Sequence, residues 1–260
     1  MSWVTHGLGD GVLTTGWPRR PDLYFDTFPA SIAVRSGAVV DNAACSAAAG
    51  CPTRAISTAG GRVTLDRGRC IMCGRCLGVA PEAFALAPGA AVATDDRGAL
   101  VVGGLEEDDE SLALVRDALA ARVRHLRRSV HIRHVDAGSD GSEEWEVQAL
   151  LNPVYDVQRL GIYIAASPRH ADILLVTGIG TEGMREPLLR THEAMPDPTV
   201  VIAVGSDAVS GGLMGGGYTR GHGTGDLLDV DVWVPGSPPS PFSILHGILL
   251  ALGRLRAEDR

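Results

Sequence analysis

The chain has 260 residues and a mass of 27.2 kDa, a length that suits one or two domains. Arginine supplies all 23 basic residues against 31 acidic ones, so the formal net charge is −8. Nucleic acid is not expected as the main partner of such an acidic chain, because a phosphate-binding surface needs a basic excess. Apolar residues make up 45% of the chain, which permits a packed core and argues against general disorder.

Targeting and redox features predict a cytoplasmic protein. No segment approaches the roughly 18 consecutive apolar residues that span a bilayer. The first residues lack the basic and apolar regions of a secretory signal. The chain has five cysteines, most of them in a tight pattern. In a reducing compartment, a pattern of this kind favours metal binding over disulfides.

The first half of the chain divides into three predicted segments. Residues 1–30 are rich in Gly and Pro and show no period, which predicts an extended N-terminal arm. Residues 31–104 hold all five cysteines and short β-like runs, which predicts a small, loop-rich α+β domain. Residues 105–129 begin with an acidic run and continue with a helical pattern, which predicts a linker helix. The apolar positions of that helix are Leu112, Val115, Leu119, Val123 and Leu126.

From residue 130 to residue 260, apolar β-like runs alternate with helical patterns. Strands are predicted in HIRHVDAG, DILLVTG, TVVIAVG and DVDVWVPG, and helices in EEWEVQALL, EPLLRTHEAM and PFSILHGILLALGRLRA. Such alternation predicts an α/β domain whose parallel sheet is covered by helices on both faces.

The cysteine pattern predicts an iron–sulfur site. Cys70, Cys73 and Cys76 form C-x-x-C-x-x-C, and Cys51 is followed by Pro52. In bacterial ferredoxins three cysteines at this spacing wrap one cubane cluster, and a Cys-Pro from the other half-motif supplies its fourth thiolate. The pattern therefore predicts a 4Fe–4S cluster bound by these four cysteines. Zinc and free thiols are the alternatives, although zinc sites seldom use this arrangement.

This region resembles a two-cluster bacterial ferredoxin that has lost one cluster. The positions where the second cluster would take its ligands hold other residues: Asp41, Ala44, Ala47 and Ala80. The resemblance implies a single 4Fe–4S cluster. Cys45 is out of register with both sets and is expected to be an ordinary small buried thiol.

The segments HIRHVDAGS, EVQALLNPVYDVQRLGI, SPRHADILLVTG, EAMPDPTVVIAVG and VDVWVPGSPPSP together resemble one family. It comprises the B-type subunit of NADH–quinone oxidoreductase (complex I) and the small subunit of energy-converting membrane-bound [NiFe]-hydrogenases such as formate hydrogenlyase. The resemblance spans about residues 129–252. The N-terminal half resembles the companion ferredoxin-like subunit, so the chain resembles a fusion of two electron-carrying subunits.

The resemblance implies a flavodoxin-like fold that carries a proximal 4Fe–4S cluster. The family holds this cluster in an AGSC-x-x-C-type loop, a VG-x-C segment and VPGCPP. The matching positions of this chain carry no thiolate: Asp140, Glu143, Asp207 and Ser237. Carboxylates and a hydroxyl suit an iron–sulfur core poorly, so no proximal cluster is expected. Two interpretations of the domain remain. Either it is a docking scaffold, or its former cluster pocket has become an acidic pocket that holds a proton, an Arg or a hard cation such as Mg²⁺.

A second motif competes with this interpretation. Gly178, Gly180 and Gly183 form G-x-G-x-x-G after a predicted strand and before a helix, the dinucleotide-binding pattern. Glu182 lies inside this loop, where its charge would repel a pyrophosphate. The pattern is short and often accidental.

The leading hypothesis is an iron–sulfur electron-transfer subunit of a membrane-associated, complex-I-like or formate-hydrogenlyase-like oxidoreductase. The resemblance implies a hydrogenase-like or complex-I-like large subunit as direct partner, and membrane subunits as indirect ones. It places the chain on the inner face of the cell membrane as a peripheral subunit. The alternatives are an NAD-linked oxidoreductase that uses the Gly178–Gly183 loop, and a structural or redox-sensing subunit.

Overall fold

The N-terminal segment contains two helices and is not extended throughout. The structure is a computed structural model that describes residues 3–103, 119, 121, 123 and 129–255. Helix α1 spans Trp3–Asp10 and helix α2 spans Leu23–Thr27. Asp22 caps α2, because its side chain accepts hydrogen bonds from the N–H groups of Tyr24 and Phe25. The prediction of an extended arm is therefore wrong for these two stretches.

The end of this arm packs into the core of the α/β domain. Trp17 is 1% exposed and stacks on Phe25 with ring centroids 4.3 Å apart. Phe242 meets the Trp17 ring edge-on at 6.2 Å. The Thr15 N–H donates to the carbonyl of Val154 at 2.8 Å. The arm is held by aromatic packing, which no local periodicity could reveal.

Replacing Trp17 by alanine is expected to destabilise the protein by about 3–5 kcal/mol, since it empties a buried aromatic site. Urea unfolding followed by circular dichroism measures the change. Trp3→Ala is the matched control, because Trp3 is 85% exposed and its loss should change stability by no more than about 0.5 kcal/mol. Equal midpoints for the two variants would contradict the packing described for the arm.

The cysteine-rich unit (residues 31–103) combines two small antiparallel sheets with two short helices. Strands β1 and β4 pair with Ser31 opposite Ala87, and β3 pairs with both β2 and β5. The elements are β1 Ser31–Val34, α3 Asn42–Ala49, β2 Ile56–Ser57, β3 Thr64–Asp66, α4 Arg75–Val79, β4 Phe84–Ala87 and β5 Val101–Val102. Their shared core includes Ile32, Leu65 and Phe84, each 1% exposed.

The predicted linker helix over residues 105–129 lies largely outside the described residues. Leu119 and Val123 are described, and both are buried in the core of the α/β domain. The Val123 N–H donates to the Leu119 carbonyl at 3.1 Å, the spacing of one α-helical turn.

The α/β domain is built on a five-stranded parallel sheet with the order β10-β9-β8-β6-β7. The two strands β8 and β9 are buried along their whole length, as the continuous apolar runs predict. The elements are β6 Val130–Asp136, α5 Ser142–Ala149, β7 Ile162–Ile164, β8 Ile173–Thr177, α6 Glu182–Glu193, β9 Val200–Val204, α7 Gly205–Ser210, β10 Val232–Val234 and α8 Pro241–Ala251.

This architecture is mixed α/β and consistent with a flavodoxin-like domain. Every residue of α8 is buried, so the closing helix is an internal element. Among the described helices, none combines the length and the apolar character that crossing a bilayer requires. In a parallel sheet the carboxyl ends of all strands lie at one edge, where binding sites of α/β proteins form. The loops that carry residues 137–141, 178–181 and 235–237 lie at this edge, as does the start of α7 at residues 205–207.

Candidate functional site

Four thiols surround one small pocket in the cysteine-rich unit. Cys51 follows α3, Cys70 and Cys73 lie in the loop between β3 and α4, and Cys76 lies on α4. All four side chains line the pocket. The remaining wall is largely apolar and includes Ile32, Ala47, Ala55, Ile56 and Leu65. The four cysteines of the motif thus line one pocket, as their spacing predicts, and Cys45 lies outside this pocket.

Backbone geometry aims N–H groups at the sulfur atoms. Arg54 and Met72 both adopt a φ of 54°, which is uncommon for residues other than glycine. The Ala55 N–H donates to Cys51 Sγ at 3.3 Å. The N–H of Met72 bonds the Cys70 thiol. Hydrogen bonds of this kind favour the thiolate, which is the form that binds metal.

The electrostatics of the pocket suit a metal centre. Burial, with the nearby Cys76, Cys51 and Cys73 thiols, raises the pKa of Cys70 to about 11 against the opposing hydrogen bond from Met72. Burial also raises the pKa of Cys76. Four thiolates in one apolar pocket therefore require positive charge to offset them.

The donor set fits a cubane cluster better than a single ion. Within residues 3–103 and the other described parts of the chain, no three His, Cys, Asp or Glu side chains lie close enough together to hold a single metal ion. A cubane instead takes one thiolate on each of its irons, so its ligands stand around a pocket. The residues present thus fit a 4Fe–4S cluster.

The positions of a second ferredoxin cluster serve the packing of the protein. Asp41 caps α3 by accepting the Ala44 N–H at 2.7 Å. Ala44, Ala47 and Ala80 are at most 5% exposed and belong to the core of the cysteine-rich unit. Cys45 lies on α3 and is exposed. The expectation of a buried thiol was therefore wrong, because the buried face of α3 carries the alanines.

Two serines that the sequence did not indicate join the cysteine-rich unit to the α/β domain. The Ser206 hydroxyl donates to the Cys70 carbonyl, and the Ser210 hydroxyl donates to the Gly68 carbonyl, each at 3.0 Å. Thr94 and Trp233 exchange backbone hydrogen bonds at 3.0 and 2.7 Å. The loop that carries Cys70 therefore rests directly on α7. A serine next to a motif residue carries no pattern that could have marked it.

The four positions expected to lack thiolates lie along one edge of the sheet. Glu143 is 1% exposed, and its Oε2 accepts the Ser142 hydroxyl at 3.0 Å. Asp207 is half-buried, whereas Asp140 and Ser237 are exposed. The structure brings the three carboxylates close enough to interact electrostatically. Ser237 follows Gly236, whose carbonyl accepts the N–H of Ser206 at 2.6 Å.

Proton binding is favoured in this acidic pocket, defined by Asp140, Glu143 and Asp207. Burial, together with the charges of Asp207 and Asp140, raises the pKa of Glu143 to about 7. Burial likewise raises the pKa of Asp207 to about 6, with Asp140 and Glu144 contributing. Hydrogen bonds from Ser142 lower the pKa of Asp140. The raised pKa values allow this edge of the sheet to hold a proton, which is one of the three alternatives.

Glu143→Gln is expected to flatten the dependence of stability on pH. The carboxyl titrates near 4.5 in its ordinary state and near 7 in the folded protein. Between these values the folded state binds more protons than the unfolded state, so stability falls as the pH rises through this window. The Gln variant should therefore gain on the order of 1–3 kcal/mol over the wild type between pH 5 and pH 8.

Urea midpoints at pH 5 and pH 8 measure this difference. Glu182→Gln is the control, because Glu182 is an exposed acid on α6. Parallel pH dependence of the wild type and Glu143→Gln would show that Glu143 is not protonated in the folded state.

Backbone of neighbouring loops occupies the space beside the Gly178–Gly183 loop, where a pyrophosphate would bind. The N–H groups of Ile179 and Thr181 donate to the carbonyls of Gly138 and Ala137 at 3.1 and 2.9 Å, and Glu182 N–H donates to Thr219 at 3.0 Å. A Cβ at Gly178 would lie 2.6 Å from the Gly138 carbonyl carbon. Gly178 and Gly180 allow neighbouring loops to pack closely, and the N–H groups of Ile179, Thr181 and Glu182 already have acceptors. The loop geometry therefore does not favour a pyrophosphate site.

Comparison with known proteins gives two family matches. Residues 141–251 match the family described as NADH ubiquinone oxidoreductase, 20 Kd subunit. Residues 63–121 match the family described as 4Fe-4S single cluster domain, a match that includes Cys70, Cys73 and Cys76 and begins after Cys51. Together they indicate a chain with an iron–sulfur domain ahead of a complex-I-type subunit.

Three relatives agree with these matches. Formate hydrogenlyase subunit 7 of Escherichia coli (strain K12) is 42% identical over 150 residues, 58% of each chain. The probable membrane-bound hydrogenase subunit mbhJ of Pyrococcus furiosus is 40% identical over 137 residues, 53% of this chain and 82% of that relative. The B-type subunit of NADH-quinone oxidoreductase from Carboxydothermus hydrogenoformans is 44% identical over 105 residues, 40% of this chain and 63% of the relative.

The chain spans somewhat more than half the length of the formate hydrogenlyase relative, so that protein's full activity does not transfer with the match. The membrane-bound hydrogenase relative is covered over most of its length, and the matched family coincides with the parallel-sheet domain. This chain therefore belongs to the family of the 20 kDa subunit of NADH ubiquinone oxidoreductase and the related hydrogenase subunits.

Proposed function

We propose that the chain is the iron–sulfur electron-transfer subunit of a membrane-associated, complex-I-like or formate-hydrogenlyase-like oxidoreductase. One 4Fe–4S cluster is held by Cys51, Cys70, Cys73 and Cys76. The observation that carries this proposal is the convergence of these four thiols on one apolar pocket. When bound, the cluster supplies one-electron redox chemistry.

The protein's own groups hold and insulate that centre. The apolar wall around Ile32 and Leu65 excludes water from the pocket. Donors such as the Ala55 N–H, 3.3 Å from Cys51 Sγ, stabilise negative charge on sulfur. Ser206 fixes the Cys70 carbonyl, so the cysteine loop keeps its position against the α/β domain.

The α/β domain acts in this proposal as the docking scaffold for a hydrogenase-like or complex-I-like large subunit. Its sheet edge presents Asp140, Glu143, Asp207 and Ser237, none of which offers a thiolate. The raised pKa values of Glu143 and Asp207 support a protonated pocket at this edge. We infer that this domain carries no cluster of its own.

The proposed location is peripheral, on the inner face of the cell membrane. Relatives are named as subunits of membrane-bound hydrogenase and formate hydrogenlyase. Contact with the membrane subunits is indirect and runs through the large subunit.

Isolation of the complex from its host tests this function. An affinity-tagged full-length chain should copurify with a hydrogenase-like large subunit. Freeze-quench electron paramagnetic resonance of that complex should show the cluster being reduced and reoxidised during turnover. Recovery without a large subunit would contradict docking, and a cluster that stays silent during turnover would favour the redox-sensing alternative.

The NAD-linked alternative has a separate test. Titration of the purified protein with NADH should show no saturable binding, because the N–H groups of Ile179, Thr181 and Glu182 in this loop already have acceptors. Saturable binding that Gly180→Glu abolishes would favour the NAD-linked function instead.

A further inference from the structure

A second, polar cavity lies where the cysteine-rich unit meets the α/β domain. Arg54 and Arg69 line it from the first unit, and Ser210, Gly212, Gly215 and His222 line it from the second. Its volume is about 260 Å³. This basic pocket, defined by these six residues, is slightly smaller than typical small-molecule sites.

The basic pocket carries excess positive charge in a chain whose net charge is −8. Arg54 has no ion-pair partner within the described part of the chain. Arg69 Nε lies 3.6 Å from Asp66 Oδ2, too far for a hydrogen bond. Arg97 already donates hydrogen bonds to both carboxylate oxygens of Asp66, at 2.9 and 2.8 Å. One carboxylate is thus shared by two guanidinium groups, and Arg54 remains uncompensated.

The side of the pocket that belongs to the α/β domain adds polar groups without adding a carboxylate to the wall. Of the described residues, no Asp or Glu lines the cavity. Asp207 Oδ1 lies against Gly212, although Asp207 does not itself line the cavity, and Asp226 accepts the backbone N–H of His222 at 3.2 Å. The imidazole nitrogens of His222 have no hydrogen-bond partner within the described ranges. They are available to a ligand.

The basic pocket adjoins the thiol pocket. Pro52 and Thr53, which directly follow Cys51, line both cavities. The wall between the two is therefore one turn of backbone. A charge bound in the basic pocket stands close to the Cys51 side of the iron–sulfur site.

We propose that the basic pocket binds a small, multiply charged phosphate compound. Guanidinium groups match phosphate oxygens with paired N–H donors, and the volume admits a diphosphate group but no folded partner. The ligand would neutralise the two arginines of the cysteine-rich unit and form hydrogen bonds with His222 of the α/β domain, so it would also hold the two units together.

The first test is binding of pyrophosphate to the purified full-length protein, followed by isothermal titration calorimetry. Saturable binding is expected, and Arg54→Gln and Arg69→Gln should each weaken it about tenfold or more, the loss typical of a charged hydrogen bond. Arg62→Gln is the matched control, since Arg62 is exposed on the same unit and outside the pocket. Circular dichroism checks the fold of every variant.

Two results of the titration would overturn the proposal. The first is the absence of saturable binding to the wild type. The second is equal weakening by Arg62→Gln, since that result would mean general charge attraction. Loss confined to the two pocket variants would support the proposal.

The second test depends on the proposed iron–sulfur function, whereas the first does not. Pyrophosphate should lower the midpoint potential of the cluster, because a nearby negative charge disfavours the addition of an electron. The shift should vanish in Arg54→Gln and persist in Arg62→Gln. Binding without a shift would contradict the coupling to the cluster and leave the anion site intact.

Discussion

Replacing both Cys70 and Cys76 by alanine is expected to reduce iron from about four atoms per chain to nearly none. Cys76 is buried and Cys70 is half-buried, and burial together with the neighbouring thiols raises the pKa of Cys70. Removing them leaves Cys51 and Cys73 alone, which cannot complete a cubane. Iron and acid-labile sulfide per chain after anaerobic purification measure the loss, and the sulfide separates a cluster from zinc.

Cys45→Ala is the control for this experiment. Cys45 is exposed on α3, so its removal should leave iron, sulfide and visible absorption unchanged. Loss of iron in Cys45→Ala would contradict the assignment of ligands. If the wild type contains zinc and no acid-labile sulfide, the four cysteines form a zinc site, which their spacing also permits, and not a 4Fe–4S cluster.

The parts of the fold that the sequence predicts best are those with strong patterns over several residues. The apolar runs at 173–177 and 200–204 are the fully buried strands β8 and β9, and the apolar segment at 241–251 is the internal helix α8. A continuous apolar run is buried whichever elements pack against it, so the sequence predicts these elements without knowledge of their neighbours.

The sequence does not predict the short helices that tertiary contacts hold in place. Helix α2 owes its place to the Asp22 cap and to the stacking of Phe25 on Trp17. Helix α7 spans only Gly205–Ser210 inside a segment predicted as strand and loop. Five or six residues are too few to show helical periodicity, and the partners of these segments are distant in sequence.

The sequence predicts the thiol site better than the acidic pocket, for the same reason. Cysteine spacing describes one local loop, and that loop folds as the spacing implies. The carboxylates come from two separate segments, the start of α5 with the loop before it and the start of α7, and the degree to which each is buried depends on the whole sheet edge. Glu143 became buried and Asp140 did not, although both were expected in one pocket. Burial, which no sequence spacing encodes, is what sets their protonation.

The acidic pocket leads to a prediction of gained function. A variant that combines Asp140→Cys, Glu143→Cys, Asp207→Cys and Ser237→Cys is expected to bind a second cluster and to raise iron from about four to about eight atoms per chain. The four positions follow the carboxyl ends of β6, β9 and β10, which share one edge of the sheet. Thiolates would replace hard oxygen donors that match iron–sulfur cores poorly.

The control for this variant removes the same charges without adding thiols: Asp140→Asn, Glu143→Gln, Asp207→Asn and Ser237→Ala. It should keep about four irons per chain and lose the pH dependence attributed to Glu143. Electron paramagnetic resonance of the reduced cysteine variant should show magnetic interaction between two clusters, because the Cys70 loop rests on Ser206, next to Asp207. If the cysteine variant folds but keeps the iron content of its control, the sheet edge has lost the shape of a cluster site as well as its ligands. If about eight irons are found in the wild type, a centre already exists there and the α/β domain takes part in electron transfer.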